Sequence, residues 1–134
     1  MSKNLDLVRS IYADWERGDF SVDQWADFEI EFARVGWGPD DGVSTGRDGM
    51  ASVFRSWLSA WKDWKLVAED YRQLDRGRVL VRYRFTGRGK TSGMEVEQLR
   101  TLGAHVFHIS EEKVTRLTVY ADRDRALADV GLEQ

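Results

Sequence analysis

Near Trp64 the spacing of apolar residues changes from every third or fourth position to every second, and it changes back only in the last dozen residues. A period near 3.6 buries one stripe of a helix, whereas a period of 2 buries one face of a strand. Helices therefore gather before this point and strands after it. Leu5, Val8, Ile11, Tyr12 and Trp15 form one stripe, with Lys3, Arg9, Asp14, Glu16 and Arg17 opposite, until Gly18 stops it. Met50, Val53, Phe54, Trp57, Leu58 and Trp61 form a second, stronger stripe. Beyond it "KLVAEDYRQLD", "RVLVRYRFTGRG", "GMEVEQLRTLG", "AHVFHIS" and "KVTRLTVYAD" read as successive strands. Turn residues separate them at Asp75-Arg76-Gly77, at Lys90-Thr91-Ser92-Gly93 and at Ser110-Glu111-Glu112-Lys113.

Between the two helices, "SVDQWADF" predicts a short helix capped by Ser21, "EIEFARVGW" a first strand, and "GPDDGVSTG" a loop. "RDRALADVGL" predicts a final short helix that Gly131 stops. The order implies an α+β fold: a cone-shaped barrel of curved, mainly antiparallel sheet wrapped around the N-terminal helices, with a short C-terminal helix. The 134 residues suit a single domain, 1–134.

Strand parity then predicts which side chains face the helices. Val79, Val81, Tyr83 and Phe85 share one face, and Arg82, Arg84 and Arg88 share the other with Leu80. On the next strand Met94, Val96, Gln98, Arg100 and Leu102 are expected to face inward, which sets Glu95 and Glu97 beside the outer arginines. An inward Arg100 needs a negative partner or the rim of the cone, the partner being either a carboxylate of the protein or an anionic or carbonyl group of a ligand. A bulge is expected at Gly103.

The net charge of −3 leaves no basic stripe for a phosphate backbone, so no nucleic-acid partner is expected. Without cysteine there is no disulfide or thiolate metal site, and two histidines at unhelpful spacing argue against metal, haem or another cofactor. No apolar run reaches signal-peptide or membrane-spanning length, which predicts a soluble cytoplasmic protein with no membrane partner. Aromatic residues make up 12% of the chain, enough either to fill a core or to line a ligand cavity.

In order and punctuation the chain resembles the nuclear transport factor 2-like superfamily, nearest its SnoaL-like and ketosteroid isomerase-like members. The resemblance runs from about Leu5 to Leu132. It rests on "WERGDFS", "DQWADFEIEF", "TGRDGMASVFRSW" and "HVFHISEEKVTRLTVYADRDRAL". It implies a cystatin-like roll with a mostly apolar cavity, commonly dimeric, in a superfamily that holds isomerases, cyclases, dehydratases, epoxide hydrolases and non-catalytic binding modules. Function does not follow from such a fold. Ketosteroid isomerase-like enzymes use a carboxylate base with a tyrosine and a protonated aspartic acid as oxyanion hole. Those positions fall here at about Ala33, with Glu31 as a substitute, near Ile11 beside Tyr12, and at His105, which argues against steroid isomerase activity. SnoaL-like cyclases resemble this chain in an aspartate near the end of the last strand, matched by Asp122.

His105 and Asp122 are therefore the candidate catalytic residues, while Tyr12, Trp15, Trp57, Trp61, Tyr83, Gln98, Arg100 and Tyr120 are candidates to line the pocket. Each has a plainer alternative: Asp122 precedes a helix and can cap it, His105 can be a bonded strand histidine, and Tyr120 can fill the core. His108 falls on the opposite face, exposed or at an interface. Two functions follow. One is a cofactor-free proton-transfer enzyme in which His105 or Asp122 moves a proton on a small apolar carbonyl compound. The other is a non-catalytic module for ligand binding or dimerisation. A homodimer is expected from the resemblance and from apolar Phe107, Leu117 and Val119 on the last strands.

Overall fold

The structure is a computed structural model that describes residues 3–59, 61–89 and 98–131, without the side chains of 40, 57, 58, 61–63, 88, 89 and 98–100. Its elements are α1 (Lys3–Glu16), β1 (Ala26–Val35), a 3₁₀ turn (Gly38–Asp40), β2 (Gly42–Thr45), α2 (Arg47–Ser59), β3 (Trp61–Asp75), β4 (Arg78–Gly89), β5 (Gln98–Ser110), β6 (Lys113–Tyr120) and α3 (Arg123–Asp129). The strands form one sheet in the order β2-β1-β6-β5-β4-β3, antiparallel except where β1 runs parallel to β6. The α+β architecture is as expected, although the curved sheet stays unclosed. Among the described residues no helix is long and apolar enough to cross a membrane.

Both faces of the sheet are covered, by different helices. Val8, Ile11, Tyr12 and Trp15 of α1 and Met50 of α2 are buried against Val79, Val81, Phe107 and Leu117 on the inner face. On the outer face Leu80, Ala104, Val106 and Tyr120 form a smaller cluster with Ala126 and Leu127 of α3. That explains why Leu80, on the arginine face by parity, is nonetheless buried. Around it, the outer face carries Arg82–Asp70 and Arg84–Glu69 ion pairs at 2.7 and 3.6 Å. The expected partners Glu95 and Glu97 lie outside the described residues.

Several local expectations change. "SVDQWADF" is one turn, not a helix: the Trp25 and Ala26 amides reach Val22 O, and Ala26 already opens β1. Ser21 caps nothing, since its own amide and hydroxyl donate to the Asp19 carboxylate. The loop after β1 contains β2, whose four residues pair with Glu31 to Arg34. Trp61 begins β3 rather than extending α2.

β5 runs unbroken through Gly103, and its pairing with β4 keeps step from Arg78↔His108 to Arg88↔Gln98. With no bulge, Thr101, Gly103, His105 and Phe107 share the face of Phe85, Tyr83, Val81 and Val79. The expected parity of β5 before Gly103 is thereby reversed: Leu102 is 41% exposed, and Arg100 takes the register position opposite Thr86. The side chains of Gln98, Arg100, Trp57 and Trp61, and all of Met94 and Val96, lie outside the described residues. Phe107 and Leu117 are fully buried in the core, and Val119 is partly buried on the inner face.

Candidate functional site

One rung of the sheet positions the site. Arg34 of β1 pairs with Val119 of β6, Val119 with His105 of β5, and His105 with Val81 of β4. Cross-strand partners share a face, so Arg34, Val119 and His105 all point to the helix side, Arg34 and His105 about 10 Å apart at Cα. Over this rung the sheet and helices leave a cavity of about 630 Å³. Val119, His105, Tyr83 and Leu66 line it from the sheet, Trp15, Phe20 and Phe54 from the helix side, and Trp37, Pro39 and Asp41 from the segment after β1.

Gly103 makes this packing possible. The Tyr83 ring and the Tyr120 carbonyl both close on its Cα, and a Cβ there would lie 2.6 Å from Tyr83 Cζ and closer still to the Tyr83 hydroxyl and Tyr120 O. The Tyr83 hydroxyl donates to Tyr120 O at 2.8 Å, so the cavity meets the ring of Tyr83 and not a free hydroxyl. Burial raises the Tyr83 hydroxyl far above its ordinary pKa.

His105 is 6% exposed and lines the cavity. Its ring stacks on Tyr83 at 4.4 Å between centroids and meets Trp15 edge-on at 5.8 Å. Nδ1 is hydrogen-bonded to the hydroxyl of Tyr12, a buried residue of α1. Burial pushes the imidazole from its ordinary 6.5 down to about 3. Tyr12 moves well upward, by burial first and then by the nearby Tyr83 and Tyr71. Both groups are consequently neutral at physiological pH, and His105 is neither an imidazolium acid nor a strong base. Among the described residues Nε2 has no hydrogen-bond partner, and it is not fully buried, so it opens on the cavity that the ring lines.

The charged side chains of the cavity wall, Arg34 and Asp41, are both hydrogen-bonded. Arg34 Nη1 donates to Ser44 Oγ at 3.1 Å and to Phe32 O at 3.4 Å, with the guanidinium 5.5 Å from the Phe32 ring centre. Asp41 receives the Trp37 amide at 2.5 Å on one oxygen and the Gly36 amide at 3.2 Å on the other. Trp15 Nε1 is buried without a hydrogen-bond partner, among the rings of Tyr12, Trp25, Phe54 and His105, which meet Trp15 at steep angles. Among the described residues no three His, Asp or Glu side chains converge as metal ligands.

The structure thus brings Tyr12, Trp15, Tyr83 and His105 together and leaves Asp122 and Tyr120 elsewhere. Asp122 is exposed and caps α3, accepting the Asp124 amide at 2.9 Å. Tyr120 lies under α3 on the outer face, its hydroxyl 3.1 Å from Asp129. Alternation is the reason: with Val119 inside, Tyr120 must point out. Ala33 also takes the outer face, paired with Thr118, and Glu31 is held there by Arg116 at 3.5 Å. Neither offers a carboxylate to the cavity. Phe32 and Arg34, their inward neighbours, were missed by the sequence reading, although the parity of "EFARV" carried them. Trp37 and Asp41 sit in a segment without periodicity and had no such signal.

Residues 8–117 match the SnoaL-like domain family, and no curated protein matches the sequence. In fold the chain is similar to an NTF2-like protein from Burkholderia thailandensis E264, with a TM-score of 0.75 and 18% identity over 99% of this chain and 100% of that one. It is similar to Bal32a from a soil-derived mobile gene cassette, with a TM-score of 0.74 and 22% identity over 87% and 86%. TerC, co-crystallised with polyporic acid, gives 0.74 at 16% identity over 96% and 98%. Identities this low speak for the fold alone. The family match carries more, because it runs from α1 into β6 and takes in most of the elements that enclose the cavity: the chain belongs to the family of SnoaL-like domains.

Proposed function

We propose that the cavity takes a small, mostly apolar molecule whose one polar group meets His105, and that the chain acts on it as a cofactor-free proton-transfer enzyme of isomerase or cyclase type. The carrying observation is a buried, neutral imidazole with one nitrogen open to a cavity otherwise lined mainly by aromatic and aliphatic side chains. In such a low-dielectric site a neutral histidine can polarise a carbonyl, and it stabilises the oxygen more as negative charge develops there. Arg34 on the same rung adds positive potential. His105 thereby holds the oxygen rather than carrying the proton. In this reading the carbon-bound proton leaves to water or to a basic group of the substrate and returns at another carbon. TerC, of the same fold, offers a precedent for a small organic ligand.

A second reading, binding without turnover, is favoured by one observation. The carboxylate on the cavity wall, Asp41, has both oxygens committed to backbone amides, and Asp122 is an exposed cap. One experiment separates the two. Thermal stability is measured with a panel of apolar ketones, phenols and carboxylates for wild type and His105→Ala, and solvent deuterium uptake is followed in any ketone that binds. Occupancy at ~100 times the dissociation constant adds about 2.7 kcal/mol. Stabilisation with deuterium uptake, both lost in His105→Ala, supports the enzyme. Stabilisation without uptake supports the binding module, and a panel that leaves stability unchanged overturns both.

A further inference from the structure

We infer that Tyr12 is a positioning residue that holds His105 in the Nε2–H tautomer, so that the cavity selects molecules presenting a hydrogen-bond acceptor, such as a ketone or carboxylate oxygen, over those presenting a donor. The inference deepens the proposed function and rests on its premise that the cavity binds a small molecule. A neutral imidazole has one donor and one acceptor nitrogen, and the bond made by one decides what the other offers. Tyr12 is 1% exposed, and among the described residues its hydroxyl has a single partner, His105 Nδ1.

The direction of that bond follows from what surrounds it. The Tyr83 hydroxyl donates to Tyr120 O, and among the described residues it makes no hydrogen bond with Tyr12. If Nδ1 carried the proton, the Tyr12 hydrogen would be buried with no acceptor, at a cost of about 1–3 kcal/mol. Tyr12 therefore donates to Nδ1, and the proton of the neutral ring resides on Nε2, the nitrogen open to the cavity. A half-turn of the ring would replace Nδ1 by a carbon and forfeit the bond. Packing opposes that turn as well, with Tyr83 stacked on the ring and Trp15 and Phe107 edge-on to it.

Three tricyclic molecules of nearly equal shape test the selectivity: 9-fluorenone with an acceptor, carbazole with a donor, and fluorene with neither. Wild type is expected to bind fluorenone about tenfold more tightly than fluorene or carbazole, the worth of one hydrogen bond in a dry site. Tyr12→Phe keeps the ring and removes the hydroxyl, and the preference should shrink toward parity because either tautomer is then allowed. Nitrogen-15 NMR of histidine-labelled wild type reads the tautomer directly and does not depend on the variant folding. A protonated Nε2 with an unprotonated Nδ1 supports the inference, and the reverse pattern overturns it. Equal binding of fluorenone and carbazole to wild type also overturns it, while leaving the binding cavity intact. Failure of all three molecules to bind removes the premise, and the selectivity falls with it, whatever tautomer the NMR shows.

Discussion

Two arms of one hairpin, Ala104 to Ser110 and the end of β6 with the residues after it, Tyr120 to Asp122, carry polar residues of similar promise and put them to opposite use. His105 lies under two helices, neutral, with one nitrogen bonded and the other facing a cavity. Asp122 lies in solvent and spends its carboxylate on the first turn of α3. The two are separated by the sheet itself, because Val119, the inward partner of His105, directly precedes the outward Tyr120. In a two-faced sheet, nearness in sequence at a strand end is a poor guide to nearness at a site.

That contrast can be broken first at its hinge. Gly103→Val should cost at least about 3 kcal/mol or prevent folding, since the new side chain meets the Tyr83 ring and the Tyr120 carbonyl together. Urea denaturation reads the loss, and stability near that of wild type would show that the two faces need no such close approach. His105→Ala should cost about 2–3 kcal/mol, because it opens a hole and leaves the Tyr12 hydroxyl unpaired in the core. Asp122→Ala should cost only about 1 kcal/mol and Asp122→Ser almost nothing, as for any helix cap. Equal losses for His105→Ala and Asp122→Ala in thermal melts would erase the distinction.

Acid sharpens it further. The folded pKa of His105 lies below the unfolded 6.5, so the unfolded chain binds the extra proton first. Stability is then complete above about pH 6.5 and falls as the pH drops toward 3, by up to about 1.4 kcal/mol per unit. His108, lowered first by partial burial and then by Arg116 and Arg78, adds to the same trend. His105→Gln should flatten most of this slope in melts recorded between pH 4 and 7, and an unchanged slope would place its origin elsewhere. Tyr83→Phe should cost about 1 kcal/mol in the same melts, for the bond to Tyr120 O, with ligand binding unaltered.

Much of the fold was legible because period and burial are the same fact seen twice. The stripe of α1 reappears as four buried residues, and Val79, Val81, Tyr83 and Phe85 are all buried as their alternation required. Short elements were less legible. β2 has only four residues and no alternation of its own, and it exists because β1 offers it an edge. The turn at Ser110–Lys113 was visible from its polar run, yet Glu111 and Glu112 adopt φ of 51° and 66°, imposed by the tight hairpin rather than favoured by glutamate.

The sequence by itself determined the class of fold, the two inner helices and the presence of a histidine on a mostly apolar strand, since these depend on residues near one another in the chain. Whether that histidine meets a cavity was decided only in three dimensions. Its register opposite Val81 and Val119, its bond to a tyrosine of α1, and the unbroken passage of β5 through Gly103 are long-range facts. A single-residue shift of register moves every side chain to the other face, so an expected bulge that did not form was enough to reverse the parity of β5 before Gly103. His105 nevertheless meets the cavity, and Asp122 a helix end, because strand pairing and not local pattern sets which face each residue takes.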